Sequence, residues 1–200
     1  MPVFFQHQIN DTTRLGIWKI EETESFFKGN VPLHRDVTHP HKRLQHLAGR
    51  FLLQFLFPDF PYELVQIADT RKPFLANDQY HFSISHGGDY AAAIVSRDQR
   101  VGIDIEVIRP LVGQLVPKFL SENEAAQIGN ESQLERSTLM WSTKECVFKW
   151  YGEGSVDFRK HIQLQKITPD TVEVFFTKTD QQLQVQYRQL DQLILAWVVG

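Results

Sequence analysis

The sequence predicts an α+β fold, built from two halves that meet near residue 100. Two short apolar runs at the start of the chain, Val3–Ile9 and Leu15–Ile20, are typical of strands. Apolar residues at helical spacing follow between His34 and Phe57. After residue 100, helical segments precede a tail of short strand-like runs. We therefore expect two half-domains, at residues 1–99 and 100–200, with mostly antiparallel strands and packed helices.

Composition excludes several classes of protein. The chain has 200 residues, of which 42% are hydrophobic and 22% charged, as in soluble globular proteins. A formal net charge of −3 excludes a uniformly basic coat for nucleic acid. The longest apolar run, Leu193–Val199, is far shorter than the roughly 20 residues that a membrane span needs. With one cysteine, Cys146, and no recognisable signal peptide, the sequence predicts a cytoplasmic protein that contacts no membrane.

Proline and turn residues divide the first half into elements. Pro58 follows the apolar residues of the predicted long helix, and a proline cannot continue a helix. Three β-like runs come next, separated by short polar turns. These runs are Tyr80–Ser85, Tyr90–Ser96 and Arg100–Glu106.

Capping signals organise the second half. Ser121 and Glu124 have the spacing of a capping box, and Ser132–Glu135 repeats it before a helix that continues to about Tyr151. Gly152 and Gly154 are expected to end that helix. The tail predicts three antiparallel strands, Thr171–Thr177, Leu183–Leu190 and Leu193–Val199.

The third β-like run contains the first candidate site. In Gly102–Glu106, Asp104 and Glu106 alternate with Ile103 and Ile105, so both carboxylates should point to one face and both isoleucines to the core. Two carboxylates about 7 Å apart at their Cα atoms can share one hard cation such as Mg²⁺. The same alternation also describes a strand with a solvated acidic face.

The long helix of the second half contains the next candidates. Trp141, Glu145 and Lys149 are spaced by four residues and share one helix face, with Lys144 one step round. Glu145 could serve as a third metal ligand or a base, and both lysines could face phosphate. The alternative is an ion pair beside a core tryptophan.

Two further features suit an anionic ligand. Ser85 and His86 precede two glycines, which let backbone N–H groups approach an anion, although a polar hairpin corner would look the same. Between Lys28 and Arg50 there are five basic residues and one acidic residue, together with His34, His39, His41 and His46. This stretch could attract anions or could be a solvated helix face. No Cys or acidic residue completes a metal-ligand set with these histidines.

These features occur in one order, and in that order the chain resembles the 4′-phosphopantetheinyl transferases, specifically the larger, single-chain, surfactin-synthetase type. The resemblance is carried by four short motifs, with about 35 residues between the two acidic ones. The motifs are Lys72-Pro73, Ile84-Ser85-His86, Gly102-Ile103-Asp104-Ile105-Glu106 and Trp141-x-x-Lys144-Glu145-x-x-x-Lys149. The resemblance to this family implies a pseudo-dimeric fold of two similar half-domains in one chain.

The resemblance also implies a reaction. The family moves the 4′-phosphopantetheine arm of coenzyme A to a serine of an apo acyl or peptidyl carrier protein and releases adenosine 3′,5′-bisphosphate. By this resemblance Asp104, Glu106 and Glu145 bind Mg²⁺, and Lys149 and Glu145 act in catalysis. Glu124 matches an additional glutamate of some members, debated as ligand or base, and also fits its capping box.

The substrate contacts come from the same resemblance. The residues that it assigns to coenzyme A are Arg35, Lys42, Arg43, Arg50, Lys72, Ser85, His86, Lys144 and Lys149. Coenzyme A and a carrier protein are therefore the expected partners, and a monomer is expected because both halves are in one chain. The sequence does not name the carrier.

The chain departs from the family pattern at two positions. Arg71 replaces a glycine that is common before Lys72, and Cys146 occupies a position where Ala or Ser is common. Two other functions remain open at this point. One is a different Mg²⁺-dependent enzyme that cleaves nucleotide pyrophosphates, and the other is a non-catalytic module that binds carrier proteins.

Overall fold

The computed structural model describes residues 3–31, 37–129 and 132–200, so the predicted contact Arg35 and the neighbouring His34 lie outside the described residues. The first half alternates short strands with one long helix. Its elements are β1 (Val3–Gln8), β2 (Thr13–Lys19), α1 (Glu24–Lys28), α2 (Pro40–Leu56), β3 (Val65–Ile67), β4 (Pro73–Leu75), β5 (His81–Gly87) and β6 (Tyr90–Ser96).

The second half begins with one strand, continues with helices and ends with four strands. Its elements are β7 (Val101–Val107), α3 (Pro110–Phe119), α4 (Glu122–Ala125), α5 (Gln133–Tyr151), α6 (Phe158–His161), β8 (Ile162–Ile167), β9 (Thr171–Phe176), β10 (Gln181–Leu190) and β11 (Leu193–Val199). Among the described residues, no helix is both long and apolar enough to cross a membrane.

Each half forms an antiparallel sheet. The first sheet has the strand order β1-β2-β6-β5, and the second has the order β7-β11-β10-β9-β8. A separate two-stranded hairpin joins β3 and β4. The prediction of an α+β fold with mostly antiparallel strands is confirmed.

Three apolar clusters hold the elements together in four layers. One cluster lies between α2 and the first sheet, and another between α5 and the second sheet. The third lies between the two sheets, where Leu15 and Ile17 of β2 pack with Ile103 and Ile105 of β7. The resulting order is helix, sheet, sheet, helix. Burial of apolar surface in this middle layer joins the two halves.

The two helix-start predictions had different outcomes. The Ser121–Glu124 capping box is present, with the Ser121 N–H donating to Glu124 Oε2 at 2.8 Å. The second box is wrong, because Ser132 has a left-handed backbone with φ of 54° and its side chain makes no cap hydrogen bond. A capping serine ordinarily has an extended backbone. Gly152 ends α5 as predicted, with φ of 75°.

The structure contains elements that the sequence reading did not identify. They are α1, the β3–β4 hairpin, α3, α6 and β8. The hairpin strands have three residues each and α6 has four, which is too short for a periodic pattern. In α3, Pro110 starts the helix and Pro117 lies inside it, so proline does not mark a boundary there.

Candidate active site

The acidic strand β7 lies against α5 and not against solvent. A Cβ on Gly102 would overlap the carbonyl oxygen of Cys146, so only glycine lets the strand approach the helix this closely. On the opposite side, a Cβ on Gly87 of β5 would lie 2.7 Å from the Ile105 carbonyl oxygen. The predicted alternation is observed, and the alternative of a solvated acidic face does not hold for Asp104, which is buried against α5.

Asp104 is at the centre of a network that connects both halves. Its Oδ1 accepts hydrogen bonds from Lys149 Nζ at 2.7 Å and from Ser85 Oγ at 2.8 Å. Its Oδ2 accepts one from Ser142 Oγ at 2.9 Å. Lys149 Nζ also donates to Ser85 Oγ at 2.8 Å. Asp104 is only 2% exposed, so this network contributes to the packing of the fold as well as to the site.

Lys149 stays charged in this environment. Burial lowers the pKa of Lys149, but the attraction of Asp104 and Glu145 outweighs it, and the net shift is upward. The ammonium is therefore a permanent positive charge beside the carboxylates.

Glu106 and Glu145 are two carboxylates whose charge is poorly compensated. Burial, and then repulsion from Asp104, raise the pKa of each to about 7. Glu106 Oε1 accepts a hydrogen bond from Trp141 Nε1 at 3.2 Å. Glu145 has no side-chain hydrogen bond or ion pair with any residue that the structure describes. Partly buried negative charge that is poorly compensated makes this a place for a cation or a proton.

The predicted metal ligands fit Mg²⁺ by donor type but are not arranged around one point. Within residues 3–31, 37–129 and 132–200, no group of three or more His, Cys, Asp and Glu side chains could hold a metal ion. Asp104 is not free to join such a group, because Lys149 and two serines already donate hydrogen bonds to its two oxygens. Glu106 and Glu145 remain, and Mg²⁺ commonly uses one or two carboxylates together with waters and phosphate oxygens.

Lys144 and Glu124 form a separate, buried ion pair. Lys144 is 0% exposed, and its Nζ donates to both Glu124 oxygens at 2.9 Å and to the carbonyls of Phe158 at 2.8 Å and Ile162 at 2.7 Å. Glu124 also accepts hydrogen bonds from the N–H of Leu164 at 2.8 Å and from Ser121. The predicted coenzyme A contact at Lys144 is corrected, because its ammonium has no accessible surface. The predicted base at Glu124 is corrected as well, because the residue is only 4% exposed and both of its oxygens accept hydrogen bonds from Lys144.

Lys72 contacts the second half of the chain. Its Nζ donates to the carbonyl of Lys149 at 2.6 Å. Burial lowers the pKa of Lys72 to about 8, with a further lowering by Arg100 and an opposing effect of Glu153. Its predicted contact with coenzyme A therefore competes with a bond that it already makes to the protein.

The basic stretch between Lys28 and Arg50 contains both exposed residues and residues that are paired or buried in the fold. Lys42 is exposed in the first turn of α2. Arg43 forms an ion pair with Glu24 at 2.7 Å, and Arg50 is only 8% exposed. Of these predicted phosphate contacts, Lys42 is the one with its charge directed to solvent. The alternative of a solvated basic helix face therefore does not hold for Arg43 and Arg50, which are held by the fold.

His86 is exposed at the end of β5, where it faces α2. Its ring lies edge to face with His46, with centroids 5.2 Å apart. Although part of its surface is exposed, the protein around the ring reduces its solvation, and this effect, followed by the positive charge of Lys149, lowers the pKa of His86. The lowered pKa favours the neutral imidazole, so the predicted anion contact at His86 would depend on its N–H and not on charge.

A cavity of about 210 Å³ opens beside Lys149. Phe82, Ile84 and Phe148 give it mostly apolar walls, and Arg71 lies at its edge. Arg71 has φ of 67°, a left-handed conformation that favours glycine. This explains physically why a glycine suits that position, and it shows that the exposed arginine is accommodated with some backbone strain.

Sequence reasoning did not identify Ser142 as part of the site. Ser142 lies three residues before Glu145 and seven before Lys149, so helical spacing places all three on one face. This spacing could have identified Ser142 from the sequence alone. A buried hydroxyl on the same helix face as two candidate charged residues is a natural hydrogen-bond partner.

Comparisons with known proteins identify the family of the chain. Residues 100–198 match the family model described as the 4′-phosphopantetheinyl transferase superfamily. The chain is 32% identical over 133 residues to the 4′-phosphopantetheinyl transferase AcpT of Escherichia coli K12, a match that covers 62% of this chain and 68% of AcpT. It is 36% identical over 115 residues to enterobactin synthase component D of the same organism, covering 54% of each. It is also 33% identical over 78 residues to the transferase psf-1 of Bacillus pumilus, covering 38% of this chain and 33% of psf-1.

Proposed function

Because the chain belongs to the 4′-phosphopantetheinyl transferase superfamily, we propose that it transfers the 4′-phosphopantetheine arm of coenzyme A to a serine of an apo carrier protein. The observation that carries the proposal is the meeting of Lys149 with Asp104, Glu106 and Glu145 where the two halves join. A permanent positive charge beside carboxylates of raised pKa is what phosphoryl transfer to a hydroxyl requires.

In this reaction the serine oxygen forms a bond to the phosphorus that bears the pantetheine. The bond from that phosphorus to the bridging pyrophosphate oxygen breaks, and adenosine 3′,5′-bisphosphate leaves. We assign the serine proton to Glu145, a carboxylate that lies beside Lys149 and makes no hydrogen bond to any residue that the structure describes. Lys149 is the cation that stabilises charge on the phosphoryl oxygens. Its present bond to Asp104 orients it for this role.

We propose that Glu106 and Glu145 hold Mg²⁺, with Asp104 available as a third ligand if it exchanges Lys149 and the serines for the ion. When bound, Mg²⁺ supplies Lewis-acid stabilisation of pyrophosphate charge. Glu106 is kept in place by Trp141. Support comes from the donor type and burial of the two glutamates. The check is calorimetric binding of Mg²⁺, which Glu106→Gln should weaken at least tenfold.

We propose that the carrier binds in a groove next to this site. The groove has a volume of about 990 Å³ and lies between α3, α5 and α6. Its walls are apolar, with Leu115, Phe119 and Phe158, and the exposed residues that line it include the two cations Lys118 and Arg159 against one carboxylate, Asp157. Trp141 borders both the groove and Glu106. An acidic helix with an apolar face complements this surface in charge and shape.

The test is the intact mass of candidate apo carriers after incubation with coenzyme A, Mg²⁺ and this protein. We expect a gain equal to one phosphopantetheinyl group, and none with Lys149→Met. Loss of coenzyme A in the absence of any carrier would instead indicate a pyrophosphate hydrolase. Binding of carriers with no mass change, across acyl and peptidyl types, would indicate a non-catalytic module.

A further inference from the structure

The β3–β4 hairpin presents its tip to the end of the helix that bears Lys149. The tip spans residues 68–72 and is closed by two backbone hydrogen bonds, from Ala68 N–H to the Lys72 carbonyl at 2.9 Å and from Arg71 N–H to the Ala68 carbonyl at 2.8 Å. The left-handed backbone of Arg71, with φ of 67°, turns the chain between Thr70 and Lys72. Both flanking side chains then reach α5.

The last carbonyls of an α-helix have no partner inside the helix. At the end of α5, Lys72 Nζ donates to the Lys149 carbonyl at 2.6 Å, and Thr70 Oγ1 donates to the carbonyl of the C-cap residue Gly152 at 3.2 Å. A cation at this end also interacts favourably with the helix dipole. The approach is close, since a Cβ on Gly152 would lie 2.5 Å from Lys72 Nζ.

The bond from Lys72 is made to the backbone of the very residue whose side chain binds Asp104. Lys149 is therefore fixed at both ends, by the hairpin of the first half at its carbonyl and by Asp104 and Ser85 at its ammonium. Fraying of the last helical turn would move the ammonium relative to the carboxylates.

We propose that Thr70 and Lys72 form a clasp that holds the C-terminal turn of α5, so that they are positioning residues for Lys149 and not contacts for coenzyme A phosphates. This inference rests on the proposed transferase function for its kinetic consequence alone. The clasp itself is a property of the free protein and can be tested without any substrate.

The kinetic test separates positioning from phosphate binding. We expect Lys72→Met to lower kcat about tenfold, which corresponds to the loss of one charged hydrogen bond, with KM for coenzyme A changed less than about twofold. We expect Thr70→Val, which removes the hydroxyl at nearly constant volume, to lower kcat about two- to threefold. Thr70→Ser keeps the hydroxyl and should retain the wild-type kcat. A phosphate contact predicts the opposite pattern, a raised KM for coenzyme A that depends on salt in Lys72→Met and no effect in Thr70→Val.

Amide hydrogen exchange of the protein without substrates supplies the second readout. We expect faster exchange in the last turn of α5, at residues 148–152, in both Lys72→Met and Thr70→Val, and unchanged exchange in the first turn of α5. Unchanged exchange at residues 148–152 in both variants would overturn the clasp. If the wild type modifies no carrier, the proposed function fails, but the exchange result still decides whether the clasp exists.

Discussion

Asp104 combines a functional position with a structural one. It is buried, and three donors share its two oxygens. Removing one member of a buried charge pair leaves the other without compensation, which costs several kcal/mol. A carboxylate in this position therefore supports the packing of β7 against α5 as well as the orientation of Lys149.

We accordingly expect Asp104→Ala to lower the free energy of unfolding by about 2–4 kcal/mol in addition to abolishing transfer. Asp104→Asn keeps an acceptor for Ser85 or Ser142 and should cost less, while transfer is still lost. Urea denaturation of both variants measures the difference. Equal stability of wild type and Asp104→Ala would contradict the role given to this network.

Glu106 and Glu145 predict how stability depends on pH. Each has an ordinary pKa of 4.5 and a pKa of about 7 in the fold, so the folded protein retains protons that the unfolded chain releases. The free energy of unfolding should therefore fall as pH rises from 4.5 to about 7, and the loss should be complete above that range. Below pH 4.5 the two groups are protonated in both states and contribute no further change.

Glu145→Gln removes one of these two groups and should flatten this dependence. Relative to wild type, the variant should gain stability at pH 8 and change little at pH 4.5, because the wild-type carboxyl is charged and unfavourable only at the higher pH. Urea midpoints at the two pH values, without Mg²⁺, make the comparison. A variant that loses stability with pH as steeply as wild type would contradict the assignment.

At the scale of elements, the Lys144–Glu124 pair joins four segments. It links α5 to α4 directly, to α6 through the Phe158 carbonyl, and to β8 through the Ile162 carbonyl and the Leu164 N–H. Burial lowers the pKa of Lys144, although Glu124 opposes this effect. The pair therefore fixes the arrangement of the helices that flank the groove.

A double-mutant cycle tests this pair. Lys144→Met or Glu124→Gln alone should cost about 3–5 kcal/mol, because each leaves a buried partner uncompensated. The double variant should be more stable than the sum of the two losses predicts, by at least about 1 kcal/mol. Strictly additive losses in urea unfolding would show that the two side chains do not act together.

Gly152 and Gly154 provide a matched comparison at the end of α5. Both have positive φ, 75° and 73°, so alanine is strained by about 1–2 kcal/mol at either position. Only a Cβ on Gly152 meets the Lys72 ammonium, whereas one on Gly154 meets Thr70 Cγ2 at 3.0 Å. Gly152→Ala should therefore lower both stability and kcat more than Gly154→Ala does. Thermal unfolding and steady-state kinetics measure this, and equal effects would contradict the close approach of Lys72.

At the scale of the molecule, the local spacing of apolar and charged residues predicted strands and helices. It did not predict the contacts between segments that are distant in sequence. Alternation in β7 correctly assigned Ile103 and Ile105 to the core, and spacing by four correctly aligned Glu145 with Lys149. The burial of Lys144 was not predictable in this way, because it depends on α4, α6 and β8, which are distant from it in sequence. The same holds for Lys72, whose partner is a backbone carbonyl 77 residues away.

The groove predicts how charge affects the carrier. Lys118→Glu together with Arg159→Glu should raise KM for the carrier at least about fivefold, because like charges would repel an acidic helix, and should leave KM for coenzyme A unchanged. Lys166→Glu, an exposed lysine on β8 outside the groove, is the matched control. An equal effect of the control would show that net charge, and not the groove, governs carrier binding.

The polypeptide passes from the first sheet to the second once, through residues 97–100 between β6 and β7. Ser85 lies before this crossing, and Asp104 and Lys149 lie after it. A chain cut there would divide the ionic network between two fragments, each of which exposes the apolar sheet face that the other covers. Reassembly of such fragments would restore the site only above a threshold concentration, so the severed protein would behave as a two-subunit enzyme.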